Sequence, residues 1–267
     1  GITRPLARLV RGAEAVSAGD LDVSVPPSSR DEVGDLATAF NGMVAGLRLK
    51  ERIESTFGRY MDPRIVHELV DDPDSVSRTE RREMTVSFVD MAGFTSLTED
   101  MPADELVHFL NTFFSHMTAP VAARNGVVDA FIGDAVMSYF GPPFSAPDKH
   151  AAAACLAALD QLACLEAFNA EFPELPDVSI RIGIATGEVV AGSIGSEALR
   201  SYTVVGDRVN LASRLEALNK TYGTRLLISE RTRELAGAAI EAREVDRVTV
   251  RGRHEESTIY EVLAPAE

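Results

Sequence analysis

The chain has 267 residues, 45% of them hydrophobic, which gives room for one medium domain with an adequate core and something smaller beside it. Its 26 Lys and Arg stand against 41 Asp and Glu, a formal charge of −15 that argues against nucleic acid as a partner. A nucleotide is not excluded, because metal ions and a few basic residues can correct the field locally.

Ile2, Leu6, Leu9, Ala13 and Val16 are spaced 4, 3, 4, 3, and Val33, Leu36, Phe40, Met43 and Leu47 are spaced 3, 4, 3, 4, which predicts two heptad helices running parallel. Between them Gly19-Asp20 and Pro26-Pro27-Ser28-Ser29 make an extended connector, in which Leu21, Val23 and Val25 alternate as if one face packs down. Such spacing serves a dimeric coil and an intramolecular helical hairpin alike. From Lys50 to Arg82 the heptad lapses, charges cluster, and Pro63 and Pro73 punctuate the run. That segment reads either as a relay of helix rotation or as a passive tether.

In Met84 to Leu97, MTVSFVDMAGFTSL, the apolar Val86, Phe88 and Val89 predict a buried strand, and Ala92-Gly93 a sharp turn into a helix opened by Thr95 or Ser96. The helix N-terminus suits phosphate oxygens, and Asp90 at the strand end suits a hard divalent cation. Capping a turn is the plainer role for such an acid. Asp104 to Ala123 carries Leu106, Phe109, Leu110, Phe113, Phe114 and Met117 as a helix stripe facing a sheet, with Pro120 expected to kink it and Gly126 to end it. Val127 to Phe140 reads as a hairpin closed by Gly133-Asp134, which sets a second carboxylate at a strand end. Two such carboxylates on adjacent strands can chelate two Mg²⁺ ions, activating an attacking oxygen and neutralising a leaving pyrophosphate.

Asp148 to Phe168 predicts a second long helix. Cys155 and Cys164 lie in it with no His or Cys at ligand spacing, so they read as structural residues in a reducing compartment. The longest apolar run, Ala151 to Leu159, is far too short for a bilayer and no signal peptide is visible, so the chain itself reads as soluble. Two strands are expected at Val178 to Thr186 and Glu188 to Ile194, around Gly187. Segment 202–219 runs from a strand through Gly206-Asp207 into a helix, where Asn210 and Arg214 share one face. They could bind a ribose or triphosphate, or form a solvated surface pair. A last strand is expected at Val248 to Arg253, and the five histidines lack metal-ligand spacing. Strand, helix, hairpin, helix, strand is the order of a ferredoxin-like α+β core with added strands.

Three segments, FVDMAGFT at 88–95, FIGDAVMSYFG at 131–141 and YTVVGDRVNLASRLE at 202–216, resemble in content and order the catalytic domain of class III nucleotide cyclases, from about Arg81 to Val262. The N-terminal part, with Pro5 and Asp31-Glu32-Val33-Gly34-Asp35-Leu36, resembles a HAMP domain, and FGRYMDP at 57–63 resembles the element preceding many bacterial cyclase domains. The implied organisation is HAMP at 1–50, a helical linker at 51–80 and a cyclase domain at 81–267. The implied activity is adenylate cyclase, taking ATP to 3′,5′-cyclic AMP at sites shared across a homodimer; a guanylate cyclase or one of relaxed base choice, and a catalytically weak cyclase-like module that binds nucleotide or relays signals, are the alternatives. Asp90, Asp134 and the Met91 carbonyl would hold two Mg²⁺ or Mn²⁺ ions, and Gly93, Phe94 and Thr95 would bind phosphate. Asn210 and Arg214 would act from the other subunit, and Arg251 stands where the family commonly has a phosphate-binding Lys. The purine pocket departs from the family: Ala130 occupies the place of its adenine-recognising Lys, opposite Thr203. HAMP domains normally follow a membrane helix, so the resemblance implies the cytoplasmic part of an inner-membrane protein whose upstream sensor lies outside this chain.

Overall fold

The computed structural model describes residues 3–27, 31–58, 61–71, 79–197, 199–249 and 256–266. They form two compact units, Gly1–Asp71 and Asp72–Glu267.

The first unit contains α1 (Thr3–Ser17), α2 (Glu32–Phe57) and α3 (Pro63–Asp71). Asp31 caps α2, its Oδ1 accepting the N–H groups of Val33 at 3.1 Å and Gly34 at 3.2 Å, and Glu32 and Asp35 in the first turn suit the helix dipole. The connector is pinned along α2: Asn41 bonds both the N–H and the carbonyl of Val25, at 2.9 and 2.7 Å, while Arg48 donates to the Leu21 carbonyl. It therefore runs antiparallel to α2, which makes α1 and α2 parallel as the heptads predict. Leu9, Val25 and Ala37 form a small core with Val33 and Phe40, and Leu21 and Val23 turn partly inward. Leu36 and Met43 remain 51% and 52% exposed, so a single chain uses only part of its apolar seam.

The second unit is one eight-stranded sheet with helices. Its elements are β1 (Glu80–Met91), α4 (Phe94–Thr98), α5 (Ala103–Ala123), β2 (Val127–Ile132), β3 (Ala135–Phe140), α6 (His150–Glu171), β4 (Ile180–Gly195) and β5 (Arg200–Val205). Then come α7 (Asp207–Tyr222), β6 (Leu226–Ser229), α8 (Glu230–Ala236), β7 (Ile240–Thr249) and β8 (Glu256–Pro265). Strand order is β2-β3-β1-β4-β6-β8-β7, with β5 pairing β4. The sequence β1-α5-β2-β3-α6-β4 in the order β2-β3-β1-β4 is the expected ferredoxin-like α+β core, its neighbours all antiparallel. Phe109 and Phe113 of α5 meet Phe168 of α6 edge to face, at 5.3 and 5.6 Å between ring centroids, and all three are buried. Among the described residues α6 alone is long and apolar enough to cross a membrane, but here Ala154, Cys155, Ala158 and Phe168 bury it in the core. Burial pushes the Cys155 thiol up to about 12, which suits an inert packing residue.

Two expectations are corrected. The region around Gly187 is one strand, β4, because Gly187 pairs with Met84 inside an unbroken ladder from Glu80↔Ala191 to Met91↔Ile180. Helix α5 stops at Ala123 as expected, but Asn125 rather than Gly126 ends it: the Arg124 N–H closes on the carbonyls of Pro120 and Val121, and Asn125 at φ 59° reverses the chain. Pro120 itself lies buried inside the helix.

Candidate active site

The site is built from the end of β1. Asp90 sits directly across the ladder from Arg181 on β4, so the two side chains share a face of the sheet. Arg181 Nη2 donates to Asp90 Oδ2 at 2.5 Å, and Arg181 Nε lies 2.9 Å from Glu216 Oε1 on α7, near enough for an ion pair though not aligned for a hydrogen bond. Glu216 can approach this closely because α7 rests almost on the backbone of β4. A Cβ at Gly183 would stand 2.1 Å from the Glu216 nitrogen and 2.2 Å from the Ala212 carbonyl oxygen.

Asp134 reaches the same place from the β2–β3 hairpin, whose turn needs Gly133 at φ 66°. Burial, and then the charge of Asp90, raise the Asp134 carboxyl above the usual range, while backbone hydrogen bonds, one from Met91, pull the other way. Glu216 is pushed up to about 7, first by burial and then by Asp90, against the pull of Arg181. Asp90 and Glu216 thus share one guanidinium, and the Asp134 carboxyl stands beside Asp90. Among the described residues no three His, Cys, Asp or Glu side chains form a preformed ligand cluster. The excess of negative charge and the all-oxygen donors nevertheless fit a hard divalent cation that keeps water or phosphate oxygens as its remaining ligands.

Of the residues singled out from sequence, Asp90, Met91 and Asp134 are brought together. Gly93 caps α4, a helix of only five residues; Phe94 packs partly into the core and Thr95 is exposed. Asn210 and Arg214 are exposed on α7. They lie about 200° to 240° around the helix from Glu216, so they face away from the acids of their own chain. Thr203 on β5 donates its hydroxyl to Asp129 Oδ2 at 2.9 Å, and Asp129 and Ala130 lie at a β-bulge in β2. Asp129 Oδ1 is buried and, among the described residues, has no hydrogen-bond partner. Burial, opposed by the Thr203 hydrogen bond, pushes the Asp129 carboxyl up to about 6. Arg251 lies outside the described residues.

Sequence reasoning passed over Arg181, Glu216 and Asp129. Each had a signal available: Arg181 and Asp129 are lone charges inside the apolar runs IRIGIA and VVDAFI, and Glu216 closes VNLASRLE.

The adenylate and guanylate cyclase catalytic domain family matches residues 76–263, and the HAMP domain family matches residues 1–49. An adenylate cyclase of Anabaena cylindrica is 34% identical over 277 residues, covering 98% of this chain and 55% of that protein. An uncharacterised protein of Mycobacterium tuberculosis is 36% identical over 259 residues, 95% of this chain and 45% of its own length. The chain therefore spans about half the length of the curated relatives it matches. Among solved structures, the adenylyl cyclase CyaB from P. aeruginosa superposes with a TM-score of 0.65 at 31% identity, over 71% of this chain and 98% of that one. The guanylyl cyclase Cya2 superposes with a TM-score of 0.64 at 33% identity, over 70% of this chain and 95% of its own.

Proposed function

Because the chain belongs to the adenylate and guanylate cyclase catalytic domain family and carries a HAMP domain ahead of that domain, we propose that it is a homodimeric adenylate cyclase whose activity the HAMP domain controls. In the reaction the ribose 3′-oxygen attacks the α-phosphorus of ATP in line, the bond from that phosphorus to the pyrophosphate oxygen breaks with its electron pair going to pyrophosphate, and the 3′-hydroxyl proton passes to water. The observation that carries this reading is the convergence of Asp90 and Asp134, where Asp90's charge holds a proton on Asp134 more tightly. Two Mg²⁺ or Mn²⁺ ions bound by these carboxylates and the Met91 carbonyl would supply activation of the 3′-oxygen and neutralisation of the pyrophosphate.

The chain's own groups do the rest. Backbone N–H groups of Gly93, Phe94 and Thr95 bind phosphate oxygens. Asn210 holds the ribose, and Arg214 pairs with the triphosphate as charge builds on it. Arg251 adds a further phosphate contact, in bidentate geometry where a Lys would give a point charge. Since Asn210 and Arg214 face away from their own acids, each site takes them from the second copy. Apolar side chains left in water support such pairing: Phe131 and Ile132 at the hairpin tip, 53% and 56% exposed, and Leu36 and Met43 in the HAMP seam. Thr203 supports an adenine pocket, and the Anabaena relative is named an adenylate cyclase. The HAMP domain and the longer relatives support a cytoplasmic segment of an inner-membrane protein.

Turnover of ATP with Mn²⁺ tests the reading. Asp90→Ala and Asp134→Ala are each expected to lose at least a hundredfold in kcat, with a melting temperature equal to or above that of the wild type because carboxylate repulsion is relieved. Near-native rates in either folded variant at saturating Mn²⁺ would exclude the assignment.

A further inference from the structure

On the face of the sheet turned away from Asp90, five buried groups make one hydrogen-bonded chain. His150 Nδ1 lies 2.7 Å from Thr85 Oγ1, which lies 2.7 Å from Thr186 Oγ1; Thr232 Oγ1 is 2.9 Å beyond, and Ser229 Oγ 2.9 Å beyond that. All five residues are at most 1% exposed. They come from α6, β1, β4, α8 and the end of β6, so the chain ties two helices to the strands that carry Asp90 and Arg181. Ser229 closes it as the cap of α8, its Oγ accepting the N–H groups of Thr232 and Thr186, each at 3.3 Å. Proton counting gives the chain a direction. Its four links use the four hydroxyl protons once each when Ser229 donates to Thr232, Thr232 to Thr186, Thr186 to Thr85, and Thr85 to a bare His150 Nδ1. A proton on Nδ1 reverses every link. Ser229 Oγ then meets a third donor with both lone pairs engaged, and its own proton has no acceptor among the described residues, which is costly in a buried group.

We infer that this relay is an acid switch: it holds His150 neutral with its proton on Nε2, and protonation of the imidazole reverses the hydroxyls and releases the cap of α8, loosening the second unit from within. The surroundings favour the neutral ring. His150 is the first residue of α6, right after Lys149, where the N-terminal N–H groups of a 22-residue helix repel a further positive charge. Burial holds the imidazole below its ordinary value; Glu83 of β1 opposes this, Arg231 of α8 reinforces it, Asp148 ahead of α6 opposes it, and β4 contributes the uncharged Thr186. Because the folded value is depressed, the stability lent by the neutral ring is present above the ordinary 6.5 and is lost as the pH falls from there through the folded value. Fraying at the helix end admits the proton.

Two measurements on the full chain, neither needing nucleotide, test the switch apart from the cyclase reading. In nitrogen-15 NMR of labelled histidine, His150 of the wild type is expected to show a bare Nδ1 and a protonated Nε2 at pH 7.5, and to take its second proton well below the ordinary value. A protonated Nδ1 at pH 7.5, or titration at the ordinary value or above it, overturns the inference. His150→Asn sets an amide oxygen where Nδ1 stands and cannot titrate, so comparison with it cancels the other acids and bases. Between pH 7.5 and 5.5 the folding equilibrium constant of the wild type relative to this variant is expected to fall at least about threefold. Hydrogen exchange of the Thr232 amide, measured in both proteins at each pH, is expected to speed up by a similar factor in the wild type alone. A stability ratio that does not move with pH, or Thr232 exchange that follows pH alike in both proteins, overturns the relay. The titration needs no variant, so it decides the matter even where His150→Asn does not fold.

Discussion

Asp129 is an acid the fold would be more stable without. Burial, the dominant cause, pushes its carboxyl up from 3.8 when free to about 6 in the folded protein. A carboxyl whose folded value is raised binds its proton more tightly in the native state, so ionisation opposes folding. The penalty is absent below about pH 4, grows between the two values, and is complete above about pH 6. At 1.36 kcal/mol per unit it amounts to roughly 1 to 3 kcal/mol at neutral pH. Asp129→Asn keeps an acceptor for Thr203 and removes the charge. Denaturant unfolding should therefore show the variant more stable than wild type at pH 8 and equal to it near pH 4; equal stability at both would show that Asp129 is not desolvated in solution. The contrast with Asp90 and Asp134 explains what was legible. Those two stand where strands run into glycine turns, at Gly93 and Gly133, a local signature. The partners of Asp129 and Arg181 lie 74 and 91 residues away in sequence. No local pattern announces such pairs; only the sheet brings them together.

Helix α7 and strand β4 form the plate on which the site is mounted. Their approach at Gly183 leaves no room for a methyl group, since the contacts at 2.1 and 2.2 Å are with backbone that cannot swing aside. Gly183→Ala should lift α7 from the sheet, costing about 1 to 3 kcal/mol or more in an overpacked contact. It should also lower turnover severalfold at temperatures where the variant remains folded, because Asn210 and Arg214 ride on that helix. A melting curve and a rate measurement on the same sample check both. Elements with a clean period, such as the apolar stripe of α5 or the β2–β3 hairpin, were readable because local pattern and tertiary environment agree. At Gly187 they disagree: the residue breaks the apolar run, yet cross-strand pairing with β1 carries the strand through. The residue that ends α5 differs from the expected one for a similar reason, since Asn125 rather than Gly126 takes the left-handed turn.

The proposed division of each site between two copies gives a demanding test of the assembly. Asp90→Ala and Asn210→Ala damage opposite walls, so each homodimer should be inactive. A heterodimer purified with two tags holds one site carrying both lesions and one carrying neither, and activity should return to about half of wild type per dimer. No recovery in a verified heterodimer would mean that these residues act within one chain. In the proposed cyclase, control from the HAMP domain would run along α2, and the build of that helix constrains its form. Helix α2 runs unbroken from Glu32 to Phe57, 26 residues or about 39 Å, and has neither Gly nor Pro after Gly46. A helix of that kind behaves as a drive shaft. In that proposal, torsion or axial thrust applied around the buried Val44 would be carried along the helix toward Phe57. What travels along it is an angle or a displacement of a rigid rod, a mechanical phase that the far end can be set to accept or to refuse.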